Sequence, residues 1–261
     1  MAKRYEGMVV QITGAASGFG ALAAAEFAAE GAKLLLSDWN GDGVAKVANA
    51  LKDQGVEVLH DAVDVSDDAA QAAHINRGAE AFGGLDVALN NAGIGNGVVP
   101  LPDIPLEDYD RVMNINARGV FIGMRHQIPL MRARGGGAIL NTASAAGLVG
   151  SGFLSAYAAS KHAVVGMTKA AADEAARYQI RVNAICPSFA ATPMVESMGD
   201  TMGEKYGISR DDAYKRIASR VPLRRVATPD EVVQAMLWIC EPKNSFMTGQ
   251  AVAIDGGLTA V

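Results

Sequence analysis

The sequence predicts an α/β protein with a doubly wound parallel sheet of seven strands and helices on both faces of the sheet. Short apolar runs alternate with stretches of helical periodicity along the 261 residues, which is typical of right-handed βαβ units. A glycine-rich turn follows the first apolar run, and polar residues follow several later runs. Neither an internal repeat nor a low-complexity linker interrupts the chain, so we expect one domain over residues 1–261.

Composition and charge narrow the classes of protein that fit. The formal net charge is −5 and basic runs are absent from the sequence, which argues against nucleic acid or a membrane as a partner. Cys186 and Cys240 are isolated in apolar surroundings and the four histidines are scattered, so we expect neither a disulfide framework nor a metal site. A short charged start, followed by no membrane-length apolar run, predicts a cytoplasmic protein.

The first predicted strand, residues 8–12, leads into a turn that contains Gly14, Ser17, Gly18, Phe19 and Gly20, and a helix follows over residues 21–29. Glycines let the backbone approach a pyrophosphate, and a helix N-terminus offers free N–H groups and a favourable dipole. The spacing G-x-x-x-G-x-G differs from the more widespread G-x-G-x-x-G, and an ordinary βα turn is the alternative.

The second strand, residues 33–38, ends in Asp38, 18 positions beyond Gly20. A carboxylate near this spacing can accept both ribose hydroxyls of NAD, and it repels the 2′-phosphate of NADP. Ala15 and Ala16 offer no basic side chain to bind such a phosphate. The alternative is an acid that caps a helix or lies in a loop. The sequence therefore favours NAD as the cofactor.

The later elements continue the alternation. Strands are predicted over residues 56–60, 85–89, 137–142, 180–186 and 251–255, and helices over residues 41–55, 66–82, 108–134, 228–240 and a stretch that carries Tyr157 and ends near residue 177. We expect Ser66 to cap the 66–82 helix, Pro129 to disturb the 108–134 helix, and Thr228-Pro-Asp-Glu231 to form a capping box. Ligands gather at the carboxyl ends of parallel strands, where Gly14, Asp38, Asp64 and Asn91 are expected to lie.

Tyr157 and Lys161 are four residues apart in a predicted helix, so their side chains emerge on the same face. A phenol has a reference pKa of about 10, and a neighbouring ammonium favours the phenolate and lowers that pKa. Lowering the pKa to roughly 7 requires about 4 kcal/mol. The pair predicts a proton donor and acceptor for a hydroxyl or carbonyl group. A lone Y-x-x-x-K is more often a chance pair on a solvated helix face, so the prediction depends on the other motifs.

Those motifs occur in a specific order. The turn Thr13-Gly14-x-x-x-Gly18-x-Gly20, the run Asn90-Asn91-Ala92-Gly93, Ser144 and Tyr157-x-x-x-Lys161 together resemble the short-chain dehydrogenase/reductase family, in its compact single-domain branch. The resemblance covers nearly the whole chain, up to Asp255-Gly256-Gly257. It implies a Rossmann-like fold, hydride transfer between NAD and an alcohol or ketone, and a homotetramer, the assembly common in this family.

The resemblance also implies a role for each matching residue. Tyr157 would be the general acid/base, Ser144 would orient the reacting oxygen, and Lys161 would bind the nicotinamide ribose and lower the pKa of Tyr157. Asn116, rather than the nearby Asn114, would hold a water in a proton relay. The implied cofactor-binding residues are Gly14, Ser17, Gly18, Phe19, Gly20, Asp38, Asp64, Val65, Asn91, Ala92, Gly93, Tyr157, Lys161, Pro187, Ala190 and Thr192.

Two positions depart from the pattern of the family. Ser188 follows Pro187 where a glycine is common, which narrows the backbone's freedom and adds a hydroxyl beside the nicotinamide. Phe19 stands where a smaller aliphatic residue is common, which should be tolerated because that position acts through its backbone N–H. Neither departure removes a proton-transfer group.

Residues 189–221 are expected to form a substrate lid within the domain. The substrate-binding candidates are Ser144, Phe153, Tyr157, Phe189, Met194 and Met198. Methionines adapt to irregular apolar ligands, although they also pack lids against protein bodies. The sequence shows no lysine or arginine placed to bind a phosphate or carboxylate of the substrate, although Arg210, Lys215 and Arg216 prevent the exclusion of such a site. We therefore expect a small uncharged, hydrophobic or cyclic secondary alcohol or ketone as substrate.

Two other functions remain open on the sequence. One is a 3-oxoacyl-thioester (acyl carrier protein) reductase, a group that usually favours NADP. The other is a non-catalytic nucleotide-sensing regulator, which the presence of both Tyr157 and Lys161 disfavours.

Overall fold

The computed structural model describes residues 3–261, except for the side chains of residues 201, 202, 204–206 and 210. These residues form one seven-stranded sheet with the strand order β3-β2-β1-β4-β5-β6-β7. Every neighbouring pair of strands is parallel. The predicted fold class is confirmed, and the strand order changes direction between β1 and β4, where doubly wound sheets bind ligands.

Within that described part, the strands are β1 (Val9–Thr13), β2 (Lys33–Asp38), β3 (Val58–Ala62), β4 (Val87–Asn90), β5 (Gly137–Thr142), β6 (Ile180–Pro187) and β7 (Ala251–Ile254). The α-helices are α1 (Gly18–Ala29), α2 (Gly41–Lys52), α3 (Asp68–Phe82), α4 (Leu106–Met113), α5 (Gly119–Arg134), α6 (Ser155–Ala175), α7 (Pro193–Tyr206), α8 (Arg210–Ile217) and α9 (Pro229–Cys240).

Helix caps account for several element boundaries. The capping box at Thr228 and Glu231 is present, as predicted, and begins α9. Asp67 rather than Ser66 caps α3, and its carboxylate accepts from the Ala70 N–H at 3.0 Å. Ser66 is turned instead toward the Asp64 carboxylate, to which both its N–H and its hydroxyl donate at 2.8 Å. The prediction of Ser66 as the cap was wrong because a nearer acceptor engages it.

The helix predicted over residues 108–134 is divided. A π-helical turn, Asn114–Arg118, separates α4 from α5. Pro129 lies inside α5, and the helix continues through it to Arg134. The prediction that Pro129 disturbs the helix was wrong; the interruption lies 11 to 15 residues earlier, at a π-turn of the kind often found at functional sites.

The two faces of the sheet carry separate apolar cores. Helices α1 and α9 cover one face, where Ile12, Phe27 and Met236 are fully buried. Helices α5 and α6 cover the other, where Ile139, Val164 and other side chains are buried. Because both faces are covered, the carboxyl edge of the sheet is the part left open for a ligand.

A buried amide network fastens α5 to the centre of the sheet. The Asn90 side chain donates to Gln127 at 3.0 Å and to Asn141 at 2.9 Å. Gln127 donates in turn to Gln11 at 3.0 Å. Since all four side chains are buried, leaving one unpaired would be costly, and the network holds the end of β4 in place.

The predicted lid segment, residues 189–221, contains α7 and α8. Backbone bonds close its base: Ala191 N–H donates to Ala227 O at 3.0 Å, and Ala227 N–H donates to Phe189 O at 2.9 Å. Ser209 caps α8, as its position suggests, by accepting from Asp212 N–H. This segment thus begins at a fixed base beside the end of β6. Over residues 3–261, no helix has the length and apolar character needed to cross a membrane.

Candidate active site

The glycine-rich turn connects β1 to α1 at the switch point of the sheet. Gly14 and Gly18 have φ values of 69° and 53°, in the left-handed region that favours glycine. A Cβ on Gly20 would lie 2.1 Å from the Gly14 carbonyl oxygen. Ser17 occupies the N-cap position of α1, but its side chain makes no capping hydrogen bond. The N–H groups of the first turn of α1 can therefore bind an anion.

The end of β4 lies against this turn. Thr13 Oγ1 accepts from the N–H groups of Asn91 and Ala92, both at 3.0 Å. The Asn91 amide donates to Thr13 O at 3.0 Å. A Cβ on Gly14 would lie 2.9 Å from Ala92 Cα. The two loops thus approach so closely that only glycine fits, which leaves a narrow backbone-lined cradle suited to a dinucleotide.

Asp38 is held beside the cradle by backbone donors. One carboxylate oxygen accepts from Ala16 N–H at 2.9 Å, and the other accepts from Asn40 N–H at 2.9 Å. Asn40 itself caps α2 by accepting from Gly43 N–H at 3.0 Å. Asn40, and not Asp38, therefore caps the helix, and the buried carboxylate of Asp38 faces the glycine-rich turn.

Asp64 and Val65 follow β3, and a residue that the sequence analysis missed holds them in place. Gln71 on α3 donates to the carbonyl oxygens of Val65 and Gly119, the latter at 2.9 Å. A Cβ on Gly119 would lie 2.8 Å from a Val65 methyl group. The turn after β3 is therefore fastened to the start of α5. Gln71 carries no recognisable motif, so only spatial contacts identify it.

Ser144, Tyr157 and Lys161 meet at the carboxyl end of the sheet. Ser144 begins a 3₁₀ turn two residues after β5, and its hydroxyl accepts from Ala146 N–H at 3.2 Å and donates to Pro187 O at 3.4 Å. It also lies near enough to Tyr157 to lower the pKa of the phenol. Lys161 Nζ lies 5.5 Å from the centroid of the Tyr157 ring and donates to Thr142 O at 2.8 Å. The expected placement of Tyr157 and Lys161 on one face of α6 is confirmed.

The electrostatics of this cluster differ from the expectation. Burial raises the pKa of Tyr157, and the hydrogen bond with Ser144 opposes that rise. Burial also lowers the pKa of Lys161 to about 8. We expected Lys161 to lower the pKa of Tyr157, but desolvation by burial is the largest influence on both groups, and it disfavours the charged form of each.

Asn116 lies fully buried in the π-turn, whereas Asn114 is exposed. The Asn116 side chain bonds both the N–H and the carbonyl of Ile94 at 2.8 Å, and it donates to Ser160 Oγ at 3.0 Å. A Cβ on Gly93 would lie 3.1 Å from Asn116 Oδ1 and 3.3 Å from Lys161 Nζ. Asn116 thus joins the loop after β4 to the helix that carries Tyr157.

The segment after β6 closes the cradle on its other side. Ser188 N–H donates to Ile254 O at 3.1 Å, so its backbone follows the sheet after Pro187. The buried Thr192 precedes α7, and its hydroxyl donates to Ala190 O at 3.3 Å. A Cβ on Gly18 would contact Thr192 and Pro193 at 3.8–3.9 Å. The start of the 189–221 segment therefore lies next to the glycine-rich turn.

The substrate-binding candidates differ in exposure. Phe153 is 57% exposed and Met194 is 44% exposed, while Phe189 and Met198 are half-buried. Val195, rather than Met194, is the buried side chain in the first turn of α7. Lys215 donates to Asp212 at 3.0 Å on the exposed face of α8. Two of the candidate apolar side chains, those of Phe153 and Met194, are therefore exposed at the surface.

Cys186 lies close to the site, because its thiol interacts electrostatically with Tyr157 and Lys161, whereas Cys240 lies at the end of α9. Cys186 and Cys240 are buried free thiols, and burial raises their pKa values to about 11 and about 12. In the described part of the chain, no three His, Cys, Asp or Glu side chains come together as a metal site.

Comparison with known proteins agrees with this geometry. The family model described as "Enoyl-(Acyl carrier protein) reductase" matches residues 14–259. Levodione reductase of Leifsonia aquatica is 37% identical over 98% of this chain and 96% of its own length. A crystal structure of levodione reductase has a TM-score of 0.92 and 37% identity, and it covers 98% of this chain and 99% of that one.

Two further proteins are similar over their whole length. Cis-4-hydroxycyclohexanecarboxylate dehydrogenase of Sinomonas cyclohexanicum is 37% identical over 100% of both chains. The structure of NAD⁺-bound xylitol dehydrogenase has a TM-score of 0.92 at 31% identity, and it covers 98% of this chain and 100% of that one. With the family model, the ordered motifs and the fold in agreement, the chain belongs to the short-chain dehydrogenase/reductase family.

Proposed function

We propose that this protein is an NAD(H)-dependent oxidoreductase that interconverts an uncharged, hydrophobic, cyclic secondary alcohol and its ketone. The observation that carries the proposal is the meeting of Ser144, Tyr157 and Lys161 at the carboxyl edge of the sheet, beside the glycine-rich turn.

The residues around the cradle fit NAD(H). The uncapped first turn of α1 and the close approach of Gly14 to Ala92 suit a pyrophosphate. The Asp38 carboxylate suits the adenosine ribose, and Asp64 and Val65 suit the adenine. Pro187 and Thr192 would face the nicotinamide end, where the bound cofactor accepts or supplies the hydride. The NAD⁺-bound relative has the same fold at 31% identity.

The proton of the reaction is assigned to Tyr157. In reduction its hydroxyl donates the proton to the carbonyl oxygen, and in oxidation its phenolate takes the proton from the alcohol. Ser144 donates a hydrogen bond to the same oxygen. Lys161 uses one N–H on Thr142 O, so two donors remain for ribose hydroxyls. Because burial raises the pKa of Tyr157, we expect alcohol oxidation to accelerate as the pH rises above neutrality.

The substrate class rests on the apolar side chains near the cleft. Phe153 lies just before α6, and Met194 lies beside Pro193, which contacts the glycine-rich turn. An exposed aromatic ring and a flexible thioether offer apolar surface to a compact ring. One relative is named for a hydroxycyclohexane carboxylate. A substrate panel should therefore include cyclohexanols with and without a carboxylate.

The thioester reductase remains the second candidate because the matching family model is described as an enoyl-(acyl carrier protein) reductase. The two candidates differ in substrate size, since an acyl thioester extends out of the cleft whereas a cyclic alcohol is enclosed. Turnover of acetoacetyl thioesters above that of cyclohexanone would favour the reductase.

The test is a panel of alcohols, ketones and 3-oxoacyl thioesters followed by NADH absorbance. The wild type is expected to turn over at least one cyclic alcohol, and Tyr157→Phe is expected to lose more than 99% of kcat. Tyr109→Phe removes the same hydroxyl from the surface of α4 and should keep full activity. If Tyr157→Phe retained wild-type turnover, the proton assignment would be wrong; if nothing in the panel turned over, a nucleotide-sensing regulator would gain support.

We also propose a homotetramer. The chain exposes large apolar side chains on two separate surfaces: Leu106 and Phe121 on α4–α5, and Trp238 and Phe246 at the end of α9 and beyond. Two different self-complementary faces generate a tetramer with dihedral symmetry. Light scattering should find dimers for Phe121→Arg or Trp238→Arg alone and monomers for the double variant. A monomeric wild type would contradict the proposal.

A further inference from the structure

We infer that Asn96, in the loop after β4, is a positioning residue for Tyr157: its side-chain amide caps the helix that carries the tyrosine and fixes that loop as one wall of the substrate cleft. The inference rests on the proposed oxidoreductase function, and it concerns a residue that none of the recognised motifs contains.

The first support is an unusual cap at the start of α6. The first N–H groups of a helix have no partner within it, and a side-chain oxygen at the N-cap position usually accepts from the third one. Here the N-cap residue is Leu154, whose side chain has no acceptor. Asn96 Oδ1 instead accepts from Tyr157 N–H at 3.0 Å, across 61 positions of the chain.

The second support is the other half of the same amide. Asn96 Nδ2 donates to Gly97 O at 2.8 Å and lies 3.5 Å from Phe153 O. Val99 N–H donates to the same Phe153 carbonyl at 3.1 Å. Phe153 has a φ of 65°, a strained left-handed conformation for a non-glycine residue. Hydrogen bonds thus join residues 96–99 to the Phe153 carbonyl and fix the strained backbone of Phe153, whose ring is exposed.

The third support is a chain of hydrogen bonds that connects the Tyr157 backbone to the loop after β4. Tyr157 O accepts from Ser160 Oγ at 2.7 Å, and Ser160 Oγ accepts from Asn116 Nδ2. Asn116 in turn bonds both polar groups of the Ile94 backbone. The loop that carries Ile94 and Asn96 therefore holds both the N–H and the carbonyl of Tyr157. Removing the Asn96 amide breaks the hydrogen bond to the Tyr157 N–H and leaves only the bond to the Tyr157 carbonyl.

Asn96 bonds backbone groups and acts through Tyr157, so its effect should appear as misplacement of the phenol. A displacement of about 1 Å from productive geometry costs roughly 100-fold in rate. A displaced phenol also loses the Ser144 hydrogen bond that opposes the rise of its pKa. We expect slower turnover and a more alkaline kinetic pKa for alcohol oxidation, while NAD(H) binding stays nearly unchanged.

The variants separate these effects. Asn96→Ala removes both halves of the amide, and it should lower kcat about 10- to 100-fold, raise the kinetic pKa, and leave the Kd for NADH within about twofold. Asn96→Asp keeps the acceptor for Tyr157 N–H and should restore kcat to within about threefold of the wild type. Asn49→Ala, on the exposed face of α2, is the matched control and should behave as the wild type.

A second measurement needs no substrate. Amide hydrogen exchange at Tyr157 should accelerate at least tenfold in Asn96→Ala and return toward the wild-type rate in Asn96→Asp. Wild-type kcat and exchange in Asn96→Ala would overturn the inference, as would a rise in the Kd for NADH that matches the loss of kcat. An inactive wild type would count against the proposed function alone, and the exchange rates would then decide whether Asn96 caps the helix.

Discussion

Replacement of Asp38 by asparagine is expected to remove most of the preference for NAD over NADP. The carboxylate lies buried at the end of β2, and its two oxygens accept from the N–H groups of Ala16 and Asn40 at 2.9 Å. These bonds prevent the carboxylate from turning away from a ligand in the cradle. A 2′-phosphate would therefore meet a fixed negative charge.

The magnitude follows from Coulomb's law. Two unit charges about 4 Å apart interact with about 4 kcal/mol at an effective dielectric constant of roughly 20, which corresponds to about a thousandfold in an affinity or a specificity ratio. The Asp38→Asn side chain keeps nearly the same shape but lacks the charge, and its single oxygen can accept from only one of the two N–H groups. We therefore expect the ratio of kcat/KM for NAD to that for NADP to fall by about three orders of magnitude.

The assay compares initial rates with both cofactors in wild type, Asp38→Asn and Asp42→Asn. Asp42 lies exposed in the first turn of α2, so its replacement removes the same formal charge at a solvated position and should change the ratio less than twofold. An unchanged ratio in Asp38→Asn, or an equal change in both variants, would refute the reasoning.

Three other perturbations test separate parts of the structure. Gly20→Ala should weaken NADH binding more than 100-fold, since the new Cβ would lie 2.1 Å from Gly14 O; Gly166→Ala, which meets open space, should leave the fluorescence-titrated Kd unchanged. Burial lowers the pKa of Lys161 from 10.5 to about 8, so the unfolded chain binds more protons than the folded chain between those pH values. The free energy of unfolding of the wild type, measured in urea, should therefore rise by about 3 kcal/mol relative to that of Lys161→Met as the pH rises through that window. A constant difference between the two proteins would contradict this. Arg181→Met should cost roughly 3 kcal/mol of unfolding free energy, because the buried guanidinium donates to Ile239 O at 2.9 Å and to Cys240 O at 3.1 Å at the end of α9; a midpoint within error of the wild type would refute the capping role.

Local signals in the sequence predicted most of the fold. The apolar run of β5 was predicted at the residues where it occurs, and the Thr228 capping box begins α9 as expected. Both depend on residues within six consecutive positions, where the local side-chain pattern acts on its own backbone. Two element boundaries were predicted wrongly. Strand β3 begins two residues later than expected, and Ser66 bonds Asp64 instead of capping α3.

For the candidate active site, too, the sequence predicted some features and not others. The identities and order of Gly14, Asp38 and Tyr157 sufficed to predict that these residues lie along one edge of the sheet, because parallel strands deliver their carboxyl ends to that edge. The direction of the Tyr157 pKa could not be read from the i, i+4 spacing of Tyr157 and Lys161. It depends on how much water the folded chain removes from both groups.

By itself, the sequence determined the fold class, the family and the residues able to carry the chemistry, since these depend on patterns that are complete within short stretches. Only the tertiary structure decided which side chains hold those residues in place. Gln71 clamps the turn after β3, and Asn96 caps a helix 61 positions away. Such contacts have no sequence pattern, because a side-chain hydrogen bond requires only that two groups meet in space, and it is the packing of the whole chain that brings them together.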